Sequence, residues 1–558
     1  MNRETKKSAD IFSSVGLSRR AVLRSSLIGG SAVVGYELLA GASSAAFAAK
    51  TSEGTSAGVV VETNSGKIRG IYHDGVHVFR GVPYAASTAP PFRFMPPRKA
   101  EPWNGVRDAF QNGHEARQIH PENGNPAGSG GRANVLQGDD CLVVNIFTPS
   151  VNDARKRPVM LWLHGGSYGY GSGMALEYDG TNLARTYDVV VLSINHRLNL
   201  FGYLYLGAKD ERYADSGMAG MLDIVASLEW IRDNISNFGG NPGNVTVFGQ
   251  SGGGGKVSTL LAMPLAKGLF HKAIVESGST LRQVPADAAQ KTTDRVLAKL
   301  GIDMTQLDQL QQIPPDKLLQ AALTSPPGDA SGNMVRLAPV VDGRSLPHDP
   351  FEPTAPEVSA DVPLLVGTVE TEGTYFTQVD MLAMDEDAMR TQLHRRFGDA
   401  TDTVIETFRK SRPKATPSEL YFIITSFPMA AITQAERKSA LKKAPAFLYL
   451  FAWRTPVDDG RLLTPHTIEI SFVFDNVWLM PEMVGTGPEI QPLADKMSAT
   501  WTTFARTGNP HVSTLPPWPA YDAANRSTMI MNNEWSVVND PTREERLTLL
   551  KRPGQTAD

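Results

Sequence analysis

The stretch Asn244-Val245-Thr246-Val247-Phe248-Gly249-Gln250-Ser251-Gly252-Gly253-Gly254-Gly255-Lys256-Val257-Ser258-Thr259-Leu260-Leu261 decides how this chain is read. The β-branched and aromatic residues before Gly249 favour a strand, and the residues after Ser251 can begin a helix. Glycines on either side of Ser251 remove the Cβ atoms that would obstruct a sharp turn, and the result is the G-x-S-x-G strand–turn–helix pattern. Such a turn holds a serine hydroxyl above a sheet, beside the positive end of a helix, where a base and a substrate carbonyl both reach it. The pattern implies serine-hydrolase chemistry.

A second match, Gly165-Gly166-Ser167-Tyr168-Gly169, follows the apolar run Val159 to Leu163. What comes after it, Gly169-Tyr170-Gly171-Ser172-Gly173, reads as a loop, so the strand–turn–helix context is missing. Ser251 is therefore the candidate nucleophile. His164-Gly165-Gly166-Ser167 has the composition of an oxyanion loop, whose backbone N–H groups must approach a carbonyl oxygen unobstructed.

Outward from these two motifs, strand-like runs alternate with helical patterns: Val159 to Leu163, Val189 to Ile194, Val245 to Phe248, Ala273 to Val275, Leu364 to Val366 and Ala446 to Phe451. That alternation predicts an α/β fold with a mostly parallel sheet flanked by helices. Met221 to Ile231 has apolar residues at helical spacing and reads as core. Ala286 to Leu323 reads as a polar helical insertion over the sheet, and Pro121 to Gly131 as a surface loop. Beyond residue 49 no repeat, charge run or long linker divides the chain, so 49–558 is expected to be one domain.

With 41% hydrophobic residues, 20% charged residues and a net charge of −4, the chain has no basic field for nucleic acid. The single cysteine, Cys141, excludes an internal disulfide and leaves stability to a large core. Residues 1–48 read as a bacterial export signal: a twin-arginine pattern at Ser18-Arg19-Arg20, an apolar stretch from Leu27 to Leu39, and an Ala46-Phe47-Ala48 cleavage site. The apolar stretch is interrupted by Glu37 and falls short of the ~20 residues a membrane span needs. The expectation is a periplasmic or secreted protein, carried by the twin-arginine translocation machinery and without stable membrane insertion once mature.

With a serine on this turn, the acid and then the histidine follow in chain order. Of 11 histidines, only His394, His466 and His511 come late enough. His394 lies in a basic helical pattern, where cationic neighbours oppose an imidazolium, and His511 lies in a turn after Asn509-Pro510. His466, in a loop entering an apolar element, is the best-placed base. For the acid, Glu370 and Glu372 both follow the run Leu364 to Val366, and spacing leaves both open.

Several separated motifs now carry a resemblance: Phe79-Arg80-Gly81-Val82-Pro83-Tyr84-Ala85, Pro102-Trp103-Asn104-Gly105-Val106-Arg107-Asp108, Asp139-Asp140-Cys141-Leu142-Val143-Val144-Asn145, Asn195-His196-Arg197, Asn237-Phe238-Gly239-Gly240-Asn241-Pro242 and Phe504-Ala505-Arg506-Thr507-Gly508-Asn509-Pro510. With His164-Gly165-Gly166 among them, the chain resembles the type B carboxylesterases, the cholinesterase-like branch of the α/β-hydrolases, from about Val59 to Tyr521. The resemblance implies a Ser251, Glu372, His466 triad, with oxyanion donors at the N–H groups of Gly166, Ser167 and Gly252. It also matches Glu469 and Ser277 to a buried second acid and serine that support the histidine, and it implies that an aromatic-rich strand follows His466 and that acid.

Departures from the family pattern are informative. Gln250 stands where the family usually has glutamate, Ser167 replaces a third glycine, and Ala116 replaces the family's disulfide partner of Cys141. The loop from Gln118 to Gly138 lacks the tryptophan with which cholinesterases stack on choline. The expectation is a serine carboxylic-ester hydrolase for a medium to large, uncharged or aromatic ester, with Tyr168, Tyr375 and Phe376 as pocket walls. No metal or organic cofactor is required, and activity should fall below about pH 6.5 as His466 protonates. Amide, carbamate or lactone cleavage by the same triad, and a non-catalytic binding protein on the same scaffold, are the alternatives.

Overall fold

The computed structural model describes residues 56–119, 136–323, 337–377 and 379–551. The expected export signal and the Pro121 to Gly131 loop lie outside these residues. From Ala57 onward the described residues form one compact unit.

One end of a thirteen-stranded sheet is built from β1 (Ser56–Thr63), β2 (Gly66–His73), β3 (Val76–Pro83) and the short β4 (Val106–Asp108). Its centre contains β5 (Val143–Thr148), β6 (Arg157–Leu163), β7 (Val190–Ile194), β8 (Gly240–Gln250) and β9 (Lys272–Glu276). Two-residue strands β10 (Val284–Pro285) and β11 (Val340–Val341) pair separately, while β12 (Leu364–Val369), β13 (Ala446–Phe451), β14 (Ser527–Met531) and β15 (Ser536–Asn539) complete the other end. The spatial order is β1-β2-β3-β5-β7-β6-β8-β9-β12-β13-β14-β15. Neighbours are parallel from β7 through β14 and antiparallel from β2 to β7 and again at β15.

The central strands are buried on both faces, which is why they read as continuous apolar runs. Their side chains still alternate between two cores. Leu161, Val247, Val275 and Val366 join Leu228 and Ile231 of the Ala219–Asn234 helix on one face. Trp162, Phe248, Ile274 and Leu365 meet Met497 and Trp501 of the Ile490–Thr507 helix on the other. The insertion expected from Ala286 to Leu323 forms helices Ala286–Leu300 and Pro315–Leu323, with a third core around Val296, Leu310 and Leu318.

The segment after His466 is not a strand. It forms a short helix, Glu469–Val473, because both edges of β13 are already occupied, by β12 and β14. A continuous apolar run has no period that distinguishes a buried strand from a buried helix. Among the described residues no helix is long and apolar enough to cross a membrane.

Candidate active site

β8 ends at Gln250, and the Gly252–Leu260 helix starts immediately after Ser251. Ser251 itself has φ 57° and ψ −125°, a conformation that costs a non-glycine residue energy and must be imposed by its surroundings. Its N–H donates to the Glu276 carbonyl at 2.8 Å, and its carbonyl accepts from the Gly255 N–H at 2.9 Å. The crossing of strand and helix is so close that a Cβ on Gly253 would lie 1.9 Å from the Leu163 carbonyl oxygen. The turn therefore demands glycine there, and it delivers Ser251 to a cavity of about 1020 Å³ that His466 and Glu372 also line.

His466 is buried, and its Nδ1 pairs with Glu372 Oε2. The two loops that carry this pair are joined through Thr371, whose hydroxyl donates to the Thr464 carbonyl at 3.0 Å and accepts from the Thr464 N–H at 2.9 Å. Burial works to lower the His466 pKa, but the Glu372 carboxylate, by charge and hydrogen bond, outweighs it and holds the ring above its ordinary value. Glu370, the alternative acid, turns away and accepts from Arg454 at 3.3 Å. His394 sits on the Glu386–Phe397 helix, and neither it nor His511 lines the cavity.

Behind the histidine, buried Glu469 accepts a hydrogen bond from the Ser277 hydroxyl at 3.1 Å. Burial and the nearby Glu372 charge push the Glu469 carboxyl up to about 7. Gln250 is also buried, with its amide nitrogen 3.2 Å from Nε2 and 3.3 Å from Nδ1 of His466. On the opposite side of Ser251, Gly166 and Ser167 have φ of 82° and 53°. The N–H groups of Gly166, Ser167 and Gly252 have no partner among the described residues. A set of unpaired N–H groups beside a strained serine can stabilise an oxyanion.

Of the three aromatic residues expected as pocket wall, Tyr168 and Phe376 line the cavity and Tyr375 does not. Both Tyr375 and Phe376 belong to the 3-10 turn Glu372–Phe376, where successive side chains diverge by about a third of a turn. Tyr375 packs against the core beneath, with its ring 6.0 Å from that of His466, while Phe376 lies 5.0 Å from it. Sequence reasoning missed Phe427 and Pro428 in the wall, brought in from a distant helical insertion, and Lys256 beneath the oxyanion loop. The signal for Lys256 was a lone charge in an otherwise glycine-rich and apolar helix. Among the described residues no three His, Cys, Asp or Glu side chains are grouped to hold a metal ion.

The sequence profile of the Carboxylesterase family matches residues 57–550. The chain is 35% identical over 501 residues to the para-nitrobenzyl esterase of Bacillus subtilis (strain 168), covering 89% of this chain and 99% of that one. It is 30% identical over 503 residues to phenmedipham hydrolase of Pseudarthrobacter oxydans, covering 88% and 98%. Among solved structures, an esterase from anaerobic Clostridium hathewayi that can hydrolyze aliphatic aromatic polyesters is similar at a TM-score of 0.77 and 32% identity, covering 88% of this chain and 98% of that one.

Proposed function

The chain belongs to the carboxylesterase family and is a carboxylic-ester hydrolase of the α/β-hydrolase fold, and from that premise we propose that it works through an acyl-enzyme on Ser251. His466 takes the Ser251 proton as the hydroxyl oxygen attacks the ester carbonyl, and the tetrahedral oxyanion is held by the N–H groups of Gly166, Ser167 and Gly252. Glu372 orients the imidazole and balances its charge. Collapse of the intermediate breaks the bond to the alcohol, which leaves with the proton from His466. Water then repeats the sequence and releases the acid.

The observation that carries this reading is the meeting of the strained Ser251 turn and the His466–Glu372 pair at one cavity. Its test is Ser251→Ala together with a fluorophosphonate probe and intact mass. The wild-type protein should turn over a chromogenic ester and gain one adduct on Ser251. A folded Ser251→Ala variant that kept near-wild-type turnover would refute the assignment.

Among the described residues lining the cavity there is no Asp, Lys or Arg, its only Glu and His are Glu372 and His466, and Phe376, Phe427 and Leu319 present apolar surface. This supports a medium to large, uncharged or aromatic ester. A higher kcat/KM for a choline ester than for its uncharged isostere would argue against it. Residues 1–48 are proposed to direct export through the twin-arginine pathway, on the Arg19-Arg20 pair. Unchanged export of an Arg19→Lys, Arg20→Lys variant would overturn that assignment.

A further inference from the structure

Five consecutive carbonyl oxygens of the oxyanion loop, His164 to Tyr168, are all satisfied by the protein. Gly165 O meets His164 Nδ1 at 2.8 Å, Gly166 O accepts from the N–H groups of Gly169 and Tyr170 at 3.2 Å, and Tyr168 O accepts from Asn199 N–H at 2.7 Å. The remaining two, His164 O and Ser167 O, accept from a single side chain, Lys256 Nζ, at 3.1 and 2.8 Å. Because a trans peptide unit is planar, a carbonyl fixed on one side fixes the N–H that follows it on the other. The Gly165 and Gly166 carbonyls thus orient the N–H groups of Gly166 and Ser167. Lys256 holds the peptide units that flank this pair at both ends.

Lys256 is fully buried and has no carboxylate partner among the described residues. Its other polar surroundings are the Tyr168 ring, 5.3 Å away, and the stacked His164 and His196 rings, whose centroids are 4.7 Å apart. Burial and the Lys256 charge keep both imidazoles well below their ordinary pKa, so neither adds a second positive charge beside the ammonium. Burial also pushes the Lys256 ammonium down to about 7. A lone ammonium in such a place is costly, and an aliphatic side chain would pack there without that cost.

We propose that Lys256 is a positioning residue of the oxyanion hole: carried on the helix that begins beside Ser251, its Nζ donates to both ends of the oxyanion loop, clamps that loop to the nucleophile and keeps the Gly166 and Ser167 N–H groups in register with the reacting carbonyl. The inference rests on the Ser251 reading above. It assigns Lys256 no contact with substrate and no proton transfer.

The test compares Lys256→Met and Lys256→Gln with the wild-type enzyme on p-nitrophenyl butyrate, with each rate divided by the fraction of sites labelled by a fluorophosphonate. Lys256→Met should lose about 30-fold in kcat with KM within about twofold, and its inactivation by the probe should slow by a similar factor. Lys256→Gln, whose neutral NH2 has two N–H donors but sits on a shorter stem and brings a carbonyl oxygen into the same buried space, should lose about threefold to tenfold. A purely structural role would lower the labelled fraction and leave kcat per labelled site intact. That result, in Lys256→Met or in Lys256→Gln should the former not fold, overturns the proposal. Absence of turnover in the wild-type enzyme would instead refute the Ser251 reading.

Discussion

Glu372→Gln keeps the shape of the acid and removes its charge, so it separates the two influences on His466. In the native protein burial acts to lower the His466 pKa and Glu372 more than offsets it, with a smaller contribution from Glu469. With glutamine at 372, burial dominates and the ring becomes harder to protonate. Two unit charges about 4 Å apart at an effective dielectric of about 20 interact by about 4 kcal/mol. The Glu372 side chain is 21% exposed. Solvent screening and the amide's own hydrogen bond offset part of that, and the direction of the change is downward. With neutral imidazole as the base of the proposed mechanism, the acid limb of kcat/KM lies above about pH 6.5 in the native enzyme, and in the variant it should move to lower pH. At the same time the imidazolium formed in the transition state loses its counter-charge, so kcat should fall by about 10²–10⁴. Initial rates between about pH 5 and 9, normalised to labelled sites, measure both quantities. A limb that stays in place or moves to higher pH, or a kcat loss below about tenfold, would refute the reasoning.

Three further outcomes are expected. Gln250→Glu places a carboxylate where an amide now lies 3.2 Å from His466 Nε2, so the acid limb should move to higher pH, and an unmoved limb would show that the introduced carboxyl is itself protonated or turned away. Gly253→Ala puts a Cβ 1.9 Å from the Leu163 carbonyl oxygen, and it should destabilise the fold by at least about 2 kcal/mol in urea unfolding; an unchanged midpoint would mean the turn can relax. Glu469 has a folded pKa raised to about 7 by burial and by Glu372, so its contribution to stability is fully present below about pH 4.5 and is lost as pH rises through about 7. Glu469→Gln should flatten the stability profile over that window, and an identical slope in both proteins would count against a buried, protonated carboxyl.

The central strands and the Ser251 turn were legible because each meets a demand that few sequences satisfy. Strands buried on both faces need unbroken apolar runs, and the Leu163–Gly253 approach leaves no room for a Cβ. The acid was not legible from spacing, since Glu370 and Glu372 follow the same strand and only the 3-10 turn that starts at Glu372 aims one toward His466 and the other toward Arg454. Lys256 was hidden because a lysine on a helix ordinarily extends to water; here the oxyanion loop, supplied by a segment about 90 positions earlier, closes over it. The segment after His466 misled because its apolar run has no period, and the sheet's occupied edges, a property of the whole fold, decided for helix.

The cavity takes its proposed triad and its contour from different parts of the chain. Ser251 and Glu372 stand at the ends of β8 and β12, whereas Leu319 and Ala322 come from the Pro315–Leu323 helix, and Thr425, Ala430 and Ala431 from the two helices between Pro417 and Ala440. The first of these wall segments rests on its own cluster of apolar side chains, around Leu310 and Leu318, and Phe427 joins another around Phe408 and Leu420. Because each of these segments packs on a cluster of its own, it can be altered without touching the strands that carry the proposed triad. Exchanging one wall segment for that of a relative is thus a route to a new repertoire of esters, with the chemistry carried over unchanged.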